Sequence, residues 1–420
     1  MKIALINTSD TLGGAAIVTH RLMETLRQAG HDARMVTFVK YSDSPYVIES
    51  ATRSQRGNRF VPERGYIFLR NGLNRENLFK VSIANTGMPL HKHPWVREAD
   101  VIALNWINQG TLSLKGIERL CALGKPVVWT MHDMWCMTGA CHHAYECTGY
   151  REQCGHCQFF HGGSSEKDLS RSTWLRKKAL FDKTDIHFVA VSNWLADKCR
   201  QSSLLGGKPI SVIPNAYPVT SYHTEPYVQM HSFDIDYKRD LIVMGAARLD
   251  DPIKGLPYAI KAFNYVFDNN PEWANRCTVV FFGNIRDPKI LNEMQLPFVY
   301  IGQISDPKIL HELYARAKVV VSSSLYETLP TTLIEGQAAG ATPVSFGGGG
   351  QSDIITHGVN GYIAEYRNSE SLGQYILKAL ENPFDRQFLH DEVVRHFSAE
   401  TIGQRYIDLF QSLLNEKQRR

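Results

Sequence analysis

Residues 319–362 read VVVSSSLYETLPTTLIEGQAAGATPVSFGGGGQSDIITHGVNGY. The β-branched run Val319–Val321 predicts a buried strand, a Ser-rich turn follows, and a helix begins near Pro330, whose fixed φ and missing N–H suit a first helical turn. Glu327 falls in the loop before that helix, and Glu335 lies about one and a half turns inside it. Both carboxylates then face a cleft at the strand's carboxyl end, where open α/β sheets bind ligands. The backbone N–H groups of Leu329, Thr331 and Thr332 add an anion site, because the first amides of a helix lack internal partners. The stretch therefore points to recognition of phosphate and hydroxyl groups.

Working outward, the same alternation fills the second half of the chain. Strands are expected at Leu241–Ala247, Thr278–Gly283, Phe298–Ile301, Thr342–Phe346 and Tyr362–Ala364, with helices at Leu256–Asp268, Pro288–Glu293 and Lys308–Ala317 between them. The first half opens as βαβ, with strand Lys2–Thr8, helix Ala15–Ala29 and strand His31–Val39. Strands at Val101–Asn105, Val127–Met131, Phe188–Ser192 and Val212–Pro214 follow, with helices at Gly110–Leu123 and Ser170–Lys183. No internal repeat links the halves, so two separate α/β domains are expected. A length of 420 residues agrees, since one ordinary core does not extend that far.

Composition narrows the class. Hydrophobic residues at 43% and charged residues at 21% describe a globular chain, and a formal charge of +4 gives nucleic-acid binding no global support. MKIALINTSD turns polar too soon for a signal peptide, and no run approaches the roughly 18 apolar residues of a membrane span. A cytoplasmic protein is expected. Two basic segments, 51–80 and 170–183, interleave arginine and lysine with aromatic residues; solvated surface is the simpler reading and the preferred one, and the sharper alternative is peripheral contact with an anionic membrane face or an acceptor phosphate. Asp234-Ile235-Asp236 mimics a metal-binding Asp-x-Asp but sits in a polar connector, and reads as surface charge.

Eight cysteines in such a protein argue for thiols or metal ligands over disulfides. Cys141, Cys147, Cys154 and Cys157 follow one another as C-x5-C-x6-C-x2-C. Four thiolates suit a closed structural site, tetrahedral zinc or an iron–sulfur cluster, and such a site leaves no position open for catalysis. Unliganded or redox-active thiols are the other reading.

Arg248 closes the first strand of the second half, and Lys254 follows in the loop RLDDPIKG, just before a helix. Two fixed cations beside a helix start make a metal-free clamp for a diphosphate. Glu335 has two acceptor oxygens for a ribose diol. In the first half, Gly13-Gly14 lies where a dinucleotide loop would, but Gly-x-Gly-x-x-Gly is not completed. His132-Asp133 emerges from a strand end and is placed for a cleft.

Glu327-x7-Glu335, with Gly340-Ala-Thr-Pro343-Val, Gly349-Gly350, Gly358-Val-Asn360-Gly361 and Arg248…Lys254-Gly255, resembles the retaining glycosyltransferases of family 4, which have the GT-B fold. Gly13-Gly14 and His132 match the family's first-loop glycines and cleft histidine. The resemblance implies that Arg248 and Lys254 hold a donor diphosphate, Glu335 the ribose and Glu327 the transferred sugar. His132 is then near that sugar or the acceptor, Gly13 and Gly14 lie by the donor, and the loop around Gln303 reads the base through its backbone. Thr328 stands where many members have Gly, and Ser352-Asp353 where Pro-Glu is common, so donor choice does not carry over. The cysteine region is similar to an insertion in a subset of bacterial polysaccharide-assembly members.

These observations give an α/β chain of GT-B type: two Rossmann-like parallel-sheet domains, 1–218 with a Cys-rich insertion at 136–161 and 241–396, facing a cleft. A linker spans 219–240, and a terminal helix, 397–420, crosses back to the first domain. The implied activity is metal-independent transfer of a hexose, with retention, from a nucleoside-diphosphate sugar to a glycan or lipid-linked acceptor. A sugar-nucleotide epimerase or hydrolase, or a non-catalytic sugar-nucleotide or glycan-binding subunit, would use the same residues.

Overall fold

The structure, a computed structural model, describes residues 1–227, 233 and 235–419. Asp234 of the Asp-x-Asp lies outside them. Asp236 is exposed and sits 3.4 Å from Arg239 Nε. The chain forms two compact units, Met1–Tyr217 with Ala399–Arg420, and Pro218–Ser398.

In the first unit β1 (Lys2–Ser9), β2 (Asp32–Val39), β3 (Val47–Glu49), β4 (Val101–Leu104), β5 (Val127–Met131), β6 (His187–Ala190) and β7 (Ile210–Val212) pair in the order β3-β2-β1-β4-β5-β6-β7. Every neighbouring pair is parallel. In the second unit β8 (Asp240–Arg248), β9 (Cys277–Asn284), β10 (Phe298–Tyr300), β11 (Ala317–Ser322), β12 (Thr342–Phe346) and β13 (Tyr362–Ala364) pair in parallel in the order β10-β9-β8-β11-β12-β13. Strands with helices on both faces must be apolar throughout. Ile3–Ile6 of β1 and Val319–Val321 of β11 are buried accordingly.

Each sheet reverses its strand order once, at β1/β4 and at β8/β11. Loops leaving the carboxyl ends of those two strands diverge and open a crevice. Among the expected site residues, Gly13 follows β1, Lys254 follows β8 and Glu327 follows β11.

The terminal helix, Ala399–Arg419, belongs to the first unit. It buries Ile402, Tyr406 and Phe410 in one cluster with Ile3, Leu22, Met23 and Leu26. Tyr406 OH lies 3.0 Å from Thr130 Oγ1, and burial pushes the phenol up to about 12.

Differences from the sequence reading are local. The helix expected at 110–123 is Leu114–Cys121, because Ser113 caps it by accepting the Gly116 N–H at 3.0 Å. Pro330 is extended and precedes the helix Thr331–Ala338 instead of sitting in its first turn. Pro288–Glu293 is a 3-10 helix. β3 and the helix Arg53–Arg70 had no counterpart in the reading. That helix contains Pro62 and buries Glu63 and Arg64, so it lacks an inward apolar stripe.

Phe410 is fully buried in the cluster. Phe410→Ala is expected to lower unfolding free energy by about 3–5 kcal/mol in a denaturant titration. A loss below about 1 kcal/mol would mean that the terminal helix does not hold the first unit together.

Candidate functional site

The second unit concentrates polar groups at the carboxyl edge of its sheet. β8 ends at Arg248, and a single 3-10 turn, Pro252–Lys254, precedes the helix Leu256–Asn269. Asp251 caps that turn, accepting the Ile253 N–H at 3.2 Å. Gly255 links turn and helix at φ 66°, and a Cβ there would lie 2.2 Å from the Ser323 carbonyl oxygen. Only glycine meets both conditions without strain. The loop after β11 is stitched to the turn: Leu325 N–H donates to the Ile253 carbonyl at 2.7 Å, and Ser323 Oγ donates to the Lys254 carbonyl at 2.8 Å.

This stitching brings Lys254 Nζ into an ion pair with Glu327 Oε2. Both side chains are about a quarter exposed, at 23% and 22%, so the pair is open to exchange with a charged ligand. Gly350 N–H holds the Glu327 carbonyl at 2.8 Å, and Gln351 Nε2 holds that of Ser324 at 3.1 Å. Arg248 Nε donates to Asp250 Oδ1 at 2.9 Å, and this bond holds the Asp250 carboxyl below its ordinary range. Glu335 is 8% exposed on the helix Thr331–Ala338, within electrostatic reach of the buried Tyr314 phenol. Leu329 is buried and Thr331 half-buried at the helix start. On the other flank Arg248 aligns with Asn284 across β8 and β9, and Asn284 Nδ2 donates to Gln303 Oε1 at 3.4 Å. The strand order thus sets Gln303, Asn284, Arg248 with Lys254, and Glu327 in sequence along one edge.

The first unit has its own cluster at the β1/β4 reversal. Gly13, at φ 93°, starts the helix Gly14–Gln28, and its carbonyl accepts from Ala16 and Ile17 at 3.1 Å. Asn7 Oδ1 accepts the Trp106 N–H at 2.7 Å, so the end of β1 and the loop after β4 are locked together. His132 leaves β5, and its Nε2–H donates to Asn105 Oδ1 at 3.1 Å. Desolvation pushes His132 down to about 4, leaving it neutral near pH 7. Asp133 turns away to accept Trp106 Nε1–H at 2.9 Å, Trp135 N–H at 2.8 Å and His142 Nδ1–H at 2.6 Å. Burial alone would raise this carboxyl, but His142, with the neighbouring His143 and the Trp135 N–H, outweighs it and brings it down to about 2.

Several of these residues escaped sequence reasoning. Asp10 is fully buried and accepts the N–H groups of Tyr41 and Ser42 at 2.9 and 2.8 Å, fixing the loop after β1. Asn105 ends an expected strand and Trp106 follows it, and that position was the available signal. His142 had none, because it adjoins Cys141 and reads as part of the cysteine region.

The expected metal site is not supported. Cys141, Cys147, Cys154 and Cys157 do line one small pocket of about 20 Å³ with Tyr150 and Phe159. Yet all four are free thiols, and among the described residues no three His, Cys, Asp or Glu side chains are grouped to hold an ion. Burial pushes the Cys157 thiol up to about 12 and also raises Cys141 and Cys154. Gly139 N–H donates to Cys154 Sγ at 3.1 Å. The basic segment 170–183 also departs from expectation: its helix, Leu169–Asp182, buries Trp174 and Lys177, and Lys177 Nζ donates to the carbonyls of Trp135 and Thr138.

Comparison with known proteins gives these clusters a family. Residues 12–220 match the model described as Glycosyltransferase Family 4, and residues 234–393 that of Glycosyl transferases group 1. An Escherichia coli (strain K12) protein named for colanic acid biosynthesis glycosyl transfer, WcaC, is 25% identical over 269 residues, which cover 56% of this chain and 62% of that one. The chain thus matches less than two thirds of that curated relative. A glycosyltransferase structure from Rickettsia africae superposes with TM-score 0.66 at 15% identity, covering 98% of both chains. Anabaena HepE, solved with UDP and glucose, gives 0.62 at 15% identity, covering 98% of this chain and 100% of its own. At those identities the likeness is one of fold, and that fold is GT-B. With the two family models together spanning most of its length, the chain belongs to the glycosyltransferases of family 4.

Proposed function

We propose that the protein is a retaining glycosyltransferase that moves a hexose from a nucleoside-diphosphate sugar to a glycan or lipid-linked acceptor in bacterial surface polysaccharide synthesis. The observation that carries this reading is the meeting of Lys254 and Glu327 beside Arg248 at the β8/β11 reversal. Family membership supports it. So do the names of two similar proteins, one given to colanic acid biosynthesis and one solved with UDP and glucose.

Arg248 and Lys254 take the diphosphate. Each is held by a carboxylate, Arg248 by Asp250 and Lys254 by Glu327, so the cations are positioned at the crevice. Two cations at one diphosphate offset its charge without a metal ion. Glu335 accepts the ribose hydroxyls, Leu329 and Thr331 lend amides at the helix start, and the Gln303 loop meets the base. When the diphosphate draws Lys254 away, the Glu327 carboxylate is released towards the sugar. In the reaction the bond from the anomeric carbon to the diphosphate oxygen breaks, and a bond to the acceptor oxygen forms on the same face. The acceptor's proton passes to the departing diphosphate, whose charge the cations stabilise. Gly13 and Gly14 lie by the donor, and neutral His132 takes the acceptor side, where an uncharged imidazole serves as a hydrogen-bond partner.

A panel of nucleoside-diphosphate sugars identifies the donor. At about 100 times its dissociation constant, the right one adds roughly 2.7 kcal/mol of apparent stability. Failure of every member to raise the melting temperature would overturn the donor site. Lys254→Ala should remain folded while turnover falls roughly 100- to 1000-fold, the usual cost of removing one such donor group. Near-normal transfer by that variant would remove Lys254 from the clamp.

His132, with its folded-state value near 4, should stay neutral from pH 8 to pH 5. Since the unfolded chain binds this proton near pH 6.5, stability from this residue is complete above 6.5 and is lost as pH falls towards 4. Imidazole NMR of the native protein checks this: an inflection near pH 6.5 would show that His132 is solvated.

A further inference from the structure

The helix Thr331–Ala338 has two polar side chains on opposite faces. Glu335 belongs to the candidate donor site, and Gln337, two residues on, lies about 200° further round at about 100° per residue. Gln337 is 1% exposed, and neither its Nε2 nor its Oε1 has a hydrogen-bond partner among the described residues. Buried amides in folded proteins are almost always paired, so an unpaired one marks a place where a polar partner belongs.

Gln337 lines a cavity of about 210 Å³ that lies wholly within the second unit. Three elements wall it: the helix Thr331–Ala338, the turn from Asp353 to Asn360, and the helix Arg386–Phe397. These walls are fixed by bonds that leave Gln337 out. Asn360 Oδ1 accepts the Thr356 N–H at 2.7 Å, and its Nδ2 donates to the Ile354 carbonyl at 3.1 Å. Arg386 Nη2 donates to the Ala339 carbonyl at 2.8 Å, and His390 Nδ1–H donates to that of Ala338 at 2.5 Å. The cavity is therefore preformed, as small-ligand sites usually are.

Its lining narrows the ligand. Ile354, Val393 and Phe397 supply an apolar side, and Asp353, Thr356 and Glu392 a polar one. Among the described residues no lysine or arginine lines it, so an anion meets carboxylates without a lining cation. A cation gains little either, because Glu392 already pairs with Arg395 at 2.6 Å and Asp353 is likewise engaged. Among the described residues no three His, Cys, Asp or Glu side chains are grouped to hold a metal ion. A neutral molecule remains. The carboxamide of Gln337 sets one donor beside one acceptor, and two adjacent hydroxyls match it, one accepting and one donating. Phe397 and its apolar neighbours suit the carbon face of a ring. The volume equals about seven waters at roughly 30 Å³ each, room for a single ring.

We propose that the cavity around Gln337 is a second saccharide site, which binds the vicinal diol of one neutral sugar ring apart from the donor site. The inference rests on the cavity, not on the proposed transfer reaction.

Saturation-transfer NMR of the full-length protein with glucose, galactose, mannose and fucose tests it. At least one of these sugars should bind, with a dissociation constant on the order of 1 mM. Cyclohexanol, which lacks the diol, and glucuronate, which is an anion, should bind at least about tenfold more weakly. Gln337→Leu should weaken sugar binding about tenfold or more and keep or raise the melting temperature, since it replaces an unpaired buried amide with an apolar group of similar size. Thr356→Trp, at an exposed position of the lining, should block the sugar without shifting the melting temperature. Binding of none of the four sugars, or equal binding by the wild type and both variants, overturns the inference. So does a Gln337→Leu protein that melts several degrees below the wild type, because the amide would then be holding the fold. A methyl glycoside that binds as well as its parent sugar assigns the site to a linked residue of a glycan, and one that fails assigns it to a free sugar. Neither readout uses a nucleotide, so this site and the donor site can fail separately.

Discussion

The reversal of strand order between β8 and β11 is the constraint on which the second unit's chemistry depends. Adjacent parallel strands whose loops diverge leave a gap at their carboxyl ends. Here the gap is closed down until Leu325 and Ser323 bond directly to the Pro252–Lys254 turn. That approach is possible because Gly255 has no Cβ to strike Ser323. The Lys254–Glu327 pair follows from it. A lysine six residues beyond a strand end would otherwise wander over many rotamers, and its positioning for an anion would cost the entropy of ordering it. Held by Glu327, it is already in place.

Much of this was legible in the sequence, for physical reasons that differ by region. Strands buried on both faces must be apolar runs, so β1, β8 and β11 announce themselves, as does the alternation that makes a sheet parallel. Arg248, Lys254, Glu327 and Glu335 were visible because each follows a strand or starts a helix within a few residues. The terminal helix declared its partner-seeking face through Ile402, Tyr406 and Phe410. What stayed hidden was long-range or inverted. The Asp133–His142 bond joins residues on either side of Cys136 and Cys141, and spacing assigned His142 to the cysteine region. The helix Arg53–Arg70 defeats periodicity because its buried face is Glu63 and Arg64.

The cysteine region shows how a motif misleads when side-chain placement is unknown. Four cysteines do gather at one pocket, as ligands would, but among the described residues no three such side chains are grouped to hold an ion. What the region supplies instead is structural reach. His142 stacks on Trp106 with ring centroids 5.5 Å apart, bonds Asp133, and lies 3.0 Å from Ser82 Oγ. One imidazole thereby links the loops after β4 and β5, and the segment Ser82–Ala84 anchored by Glu63. Asp133 is held away from His132, which keeps its own bond to Asn105. The loop that carries the candidate acceptor-side histidine is thus fixed from the side of the cysteine region.

The central claim is that the β8/β11 crevice is a preformed diphosphate site. A crystal structure with a bound nucleoside diphosphate tests it most directly. The expected result is diphosphate oxygens at about 3 Å from both the Arg248 guanidinium and Lys254 Nζ, with the ribose hydroxyls on Glu335 and Glu327 released from Lys254. A nucleotide bound elsewhere, or bound while the Lys254–Glu327 pair stays closed, would contradict the account.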